Sequence, residues 1–113
     1  MNAALNEILS DPVLQSLVLD LRVNLGGDDR LGLAFASRFT QISRIVELIG
    51  PLTMSAGETF TQALMGRSPH VLRVGEATQG LSGSVLQRHL PNGWQFGLPN
   101  TILFTFTELI LME

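Results

Sequence analysis

The sequence predicts an α/β fold with a mixed sheet. Short apolar runs with strand alternation trade places with stretches of helical spacing between residues 17 and 74. Two of those runs end in glycine and lead toward an acidic or hydroxyl residue, the pattern of a strand turning into a helix N-terminus. The last third instead carries Pro91-Asn92-Gly93 between two apolar runs, which has hairpin character and adds antiparallel pairing.

The elements follow in order. Leu5, Ile8 and Leu9 recur at helical spacing, so residues 3–10 read as a short helix that Asp11-Pro12 ends. Leu17 to Val23 reads as a strand with Leu17, Leu19, Leu21 and Val23 on one face. Asp20 and Arg22 share its other face and are placed to pair, or simply to meet solvent. Gly26-Gly27 then turns the chain, and Asp28 or Asp29 suits the cap of a helix with Leu31, Ala34, Phe35 and Phe39 on its buried stripe. Ile42 to Ile49 reads as a strand, a helical continuation being the alternative, and Gly50-Pro51 closes it. The next helix begins near Ser55 and is expected to bury Ala56, Phe60, Ala63 and Leu64, with Gly66 at its C-terminus. Val71 to Val74 is a short strand, and Gly75 to Ser84 a glycine- and hydroxyl-rich loop. Val85 to Leu90 pairs across the turn with a strand on which Trp94, Phe96 and Leu98 alternate, and Pro99-Asn100 breaks it. Ile102 to Met112 is a last extended run, with Phe104 and Phe106 on one face.

A length of 113 residues suits one domain with one core. The chain is 45% hydrophobic and only 15% charged, so it folds and has few groups to keep bare apolar surface apart; homo-oligomers are expected. The net charge is −3, the seven basic residues are scattered and lysine is absent, so nucleic acid is not an expected partner. The absence of cysteine excludes disulfides and thiol chemistry. No His/Asp/Glu spacing suggests a metal, no phosphate loop occurs, and no cofactor is expected. The N-terminus lacks the basic start of a signal peptide, and no run is long enough to span a bilayer. A membrane partner is therefore not expected, and the default location is cytoplasmic.

Ser55 is the residue on which function turns. Ser55-Ala56-Gly57-Glu58 fits a capping box, in which the serine and the glutamate three residues later satisfy each other's backbone donors. The same placement suits a nucleophile, because unpaired N–H groups at a helix N-terminus can stabilise an oxyanion. Gly26-Gly27 supplies a second strand-to-helix turn with N–H groups of the same kind. A nucleophilic serine needs a base. His70 precedes one strand, His89 lies inside another, and each reads as a surface or structural histidine rather than as the base, since nothing fixes it near Ser55. Glu76 and Glu108 are possible orienting carboxylates.

Four stretches together carry a family resemblance. Leu17-Val18-Leu19-Asp20-Leu21-Arg22-Val23-Asn24-Leu25-Gly26-Gly27-Asp28 resembles the strand and turn of the tail-specific, or C-terminal-processing, serine peptidases, which include tricorn-like enzymes. Gly50 to Phe60 is similar to their nucleophile segment, Val74-Gly75-Glu76-Ala77-Thr78-Gln79-Gly80 to a further motif, and Leu90-Pro91-Asn92-Gly93-Trp94 to their hairpin. The resemblance implies a Clp-protease/crotonase-like fold, Ser55 as nucleophile, and the N–H groups of Gly26, Gly27 and Ala56 as oxyanion donors. It also implies peptide or protein substrates, cut by acyl transfer to Ser55 and then hydrolysis. One branch of the family has a lysine just after the third motif, where Leu81 and its neighbours stand here; the other has a histidine and a serine upstream of the first. The expectation is thus a truncated catalytic core with an incomplete catalytic set. A non-catalytic self-associating or protein-binding module is the alternative, and a crotonase-like acyl-thioester site a third reading.

Overall fold

The computed structural model describes residues 2–67, 70–81, 83 and 85–100. The expected run Ile102–Met112 and Glu108 lie outside the described residues. The order is α1 (Asn2–Leu9), β1 (Ser16–Asp20), α2 (Asp29–Ala36), a 3-10 turn (Ser37–Phe39), β2 (Arg44–Ile49), α3 (Ala56–Met65), β3 (Val71–Gly75), β4 (Val85–His89) and β5 (Gln95–Pro99). The α/β expectation holds. The pairing differs in one respect: the described strands form a parallel sheet in the order β1-β2-β3 and a separate antiparallel hairpin, β4-β5, rather than one mixed sheet. β3 ends at Gly75 and β4 begins at Val85, so the two pairing modes share no strand among those described.

The parallel sheet comes from two successive strand–helix–strand units. Their crossovers step in the same direction across the sheet, which puts both helices on one face. There α2 and α3 pack against each other. Gly32 faces α3: a Cβ there would meet Phe60 Cβ at 3.6 Å and the Ala56 carbonyl at 3.7 Å, ordinary packing distances. Phe35, Phe39 and Phe60 fill the space beside it, with Phe35 and Phe39 edge to face at 5.1 Å. Leu17, Ile45 and Val71 stand in register on the helix-facing side of the sheet and complete the core with Leu9, Leu21, Ile42 and Leu64.

Several expected boundaries and faces move. β1 ends at Asp20, not Val23, because the Asp20 carboxylate captures the Arg22 N–H at 3.1 Å and turns the chain. Val23 is left outside the core, 74% exposed. The Asp20–Arg22 pair does form, at 2.6 Å, and the guanidinium pulls the Asp20 carboxyl down to about 2. On α2 the buried face passes through Gly32, Phe35 and Ala36, so Leu31 and Ala34 are exposed rather than buried. On α3, Ala63 is exposed, while Gly57, Glu58, Thr59 and Thr61 join Ala56, Phe60 and Leu64 inside. The helix is enclosed on more sides than its apolar stripe implies. β2 starts at Arg44, two residues later than expected.

The middle of the sheet carries a charged pair. Glu47 is fully buried on β2, on the helix-facing side, in register with Arg73 on β3. Arg73 Nε stands 3.1 Å from Glu47 Oε2, near enough for an ion pair but without the alignment of a hydrogen bond. Burial therefore dominates and pushes the Glu47 carboxyl up to about 7, against the pull of the Arg73 charge.

Candidate active site

The C-terminal ends of three parallel strands meet at one edge, the place where open α/β sheets bind ligands. The loop after β1 brings Asn24, Gly26 and Gly27; the turn after β2 brings Thr53 and Ser55; the loop after β3 brings Gln79, Gly80 and Leu81. Main-chain hydrogen bonds sew them together. Met54 N–H donates to the Asn24 carbonyl at 3.0 Å and Gln79 N–H to the Thr53 carbonyl at 3.0 Å. Thr53 is fully buried and locks the turn: its hydroxyl donates to the Leu21 carbonyl at 2.7 Å and accepts from Gly50 N–H at 3.1 Å.

Ser55 has φ 53° and ψ −125°, and is the only non-glycine residue with positive φ among those described. This is the backbone of a sharp strand-to-helix elbow, a conformation costing about 1–3 kcal/mol that persists only where its surroundings hold it. The restraints are visible. Ser55 N–H is shared between the Leu81 carbonyl (3.0 Å) and Glu58 Oε2 (3.1 Å). The capping box is present: the Ser55 side chain faces the Glu58 N–H, outside strict hydrogen-bond geometry, while that N–H donates to the Ser55 carbonyl at 2.9 Å. The Ser55 O–H itself donates to no acceptor among the described residues.

Glu58 ties the site together. Its second oxygen, Oε1, accepts from Gly80 N–H at 2.7 Å, so one buried carboxylate joins the start of α3 to the loop after β3. A base role for Glu58 conflicts with this double engagement. Gly26 packs against Ser55 and must be glycine: its φ is +99°, and a Cβ would stand 2.7 Å from Ser55 Cβ and 3.1 Å from Ala56 N. Of the three expected oxyanion donors, the Gly26 N–H is taken by Asn24 Oδ1 at 3.0 Å. The N–H groups of Gly27 and Ala56 donate to no acceptor among the described residues.

Both free donors border a cleft of about 350 Å³, lined by Gly26, Gly27, Leu31, Phe35, Ala56 and Phe60 among others. It is apolar on the α2–α3 side. At its rim Asp28 caps α2, accepting from Arg30 N–H at 2.9 Å, and the Arg30 guanidinium holds its carboxyl below the usual range. Leu31, exposed where a core role was expected, is one wall of this cleft.

The other sequence candidates lie apart. His70 precedes β3, so it sits at the opposite end of the sheet, with Nδ1 3.1 Å from the Ser43 carbonyl. His89 is exposed on the hairpin, and the Glu76 side chain is exposed with no hydrogen bond or ion pair among the described residues. Asn24, Thr53 and the Leu81 carbonyl were not singled out by sequence reasoning. Their roles depend on which loops meet, and only the Asn24-x-Gly26 spacing of an Asx turn hinted at one of them. No group of three or more possible metal ligands occurs among the described residues, and none of their helices is long and apolar enough to cross a membrane. No protein-family model matches the chain, and no curated protein matches it.

Proposed function

We propose that the chain carries a serine-type acyl-transfer site of the tail-specific peptidase kind, acting on peptide or protein substrates and built on a Clp-protease/crotonase-like core. The observation that carries this reading is the Ser55 elbow. A strained serine whose O–H donates to no described acceptor adjoins the uncommitted Ala56 N–H, and the uncommitted Gly27 N–H borders the same cleft as Ala56, at the open ends of parallel strands. In such a site Ser55 Oγ attacks the substrate carbonyl carbon, and the Gly27 and Ala56 N–H groups receive the oxyanion. Collapse expels the amine and leaves an ester on Ser55, which water hydrolyses. The cleft beside Ala56 has room for a side chain flanking the scissile bond.

The Ser55 proton needs an acceptor. Among the described residues the neighbouring carboxylate, Glu58, is engaged by two N–H donors, and both histidines lie elsewhere. This favours a second reading, a binding module that keeps the backbone half of the site without its proton-transfer half.

An active-site-directed fluorophosphonate separates the two. The first reading expects label on the wild type and none on Ser55→Ala. A folded wild type that takes no label at any pH tested defeats the claim of an activated serine and leaves the binding module.

A further inference from the structure

We propose that the β4–β5 hairpin is an exchanged arm, and that its apolar face covers the open face of the parallel sheet in a second copy of the chain. The register puts Leu86 opposite Leu98 and Arg88 opposite Phe96, and the Leu90 N–H bonds the Trp94 carbonyl. Directly opposed residues of an antiparallel pair share a face. Leu86, Leu90, Trp94, Phe96 and Leu98 therefore form one apolar face, with Arg88 as its only charge, and Gln87, His89 and Gln95 lie on the other. All five apolar residues are exposed, Trp94 at 72%. The substantial contacts of the hairpin are between its own strands, and a lone hairpin is at best marginally stable in water.

The parallel sheet has the complementary deficiency. Its helices cover one side only. On the other, Val18, Val46 and Leu72 stand in register, and Leu48 and Val74 form the next row beside Asp20. Val18 and Leu72 are about three-fifths exposed, at 62% and 60%. Parallel sheets are normally covered on both faces.

The two surfaces match in kind. One is an apolar ribbon interrupted by Arg88; the other is an apolar floor bordered by Arg44 at one margin and by the Asp20–Arg22 pair at the other. Both are present on every copy, and the arm does not lie on its own sheet. Two-fold exchange satisfies both surfaces twice and closes the assembly. The five arm side chains offer on the order of 500 Å². Two reciprocal contacts, counting both sides, come to roughly 1,500–2,000 Å², the range of stable interfaces.

Light scattering with concentration, together with emission from Trp94, tests this. The wild type is expected to be a dimer, with Trp94 emission shifting to the blue as the dimer forms. Phe96→Glu on the arm and the double change Val18→Glu, Leu72→Glu on the sheet should each halve the apparent mass while far-UV circular dichroism is retained. A monomeric wild type at high concentration overturns the proposal, as does a dimer that survives the arm or the sheet substitutions.

Discussion

Ser55 shows how one residue acquires a role from its backbone. A serine at a helix start is ordinarily a cap, and Ser55 keeps the capping box; its φ of 53° also aims the N–H into two acceptors, and its O–H donates to no acceptor among the described residues. Gly26 is the counterpart that permits this, so Gly26→Ala should be costly: a methyl group at φ +99°, 2.7 Å from Ser55 Cβ, is expected to lose about 1–3 kcal/mol in urea denaturation and to abolish fluorophosphonate labelling. Glu47 makes a different prediction. Its carboxyl titrates near 4.5 in the unfolded chain and about 7 when folded. The folded protein therefore holds the proton more tightly. This contribution is complete below pH 4.5 and is lost as pH rises through about 7, on the order of 3 kcal/mol in all. Thermal melts of the wild type should fall across that window relative to Glu47→Gln, which has no such proton to lose. Parallel melting curves for the two would show that Glu47 is ionised throughout. The alternation of Ile45, Glu47 and Ile49 already marks Glu47 as core-facing, and Val71 marks Arg73 likewise. That the two stand opposite each other was not legible, because it depends on the register between β2 and β3.

At the scale of elements, the site is three loops held at one sheet edge, and Glu58 is the tie between two of them. Glu58→Ala removes an acceptor from two N–H groups, Ser55 and Gly80. A loss of about 1–3 kcal/mol is expected, with faster amide exchange at Gly80 while the sheet amides stay protected. Uniformly faster exchange would mean that Glu58 supports the whole fold and not this junction. The elements themselves were largely legible, since strand alternation, helical spacing and the Gly-Gly, Gly-Pro and Pro-Asn-Gly turns are local. The faces were less so. α2 turns Gly32, Phe35 and Ala36 toward α3 and exposes Leu31, because which side of the helix meets α3 is set by how the two helices pack. β1 stops early because a side-chain oxygen on Asp20 competes for the next backbone donor.

At the scale of the molecule, the described residues leave two apolar surfaces open: the far face of the parallel sheet and one face of the hairpin. The exchanged-arm dimer answers both, and the light-scattering series is the measurement on which it stands. The sequence by itself determined the α/β class, the order of the elements, the two turns that approach Ser55 and the low charge that favours association. These follow from backbone periodicity and turn chemistry, which act over a few residues. It took the tertiary structure to show that, among the described residues, the Ser55 O–H meets no acceptor, that Gly27 and Ala56 keep open donors while Gly26 does not, and that His70 and His89 lie away from the site. Those outcomes depend on strand order and register, which bring together residues far apart in the chain. Which acceptors an N–H meets, one or two, is settled when the loops come together.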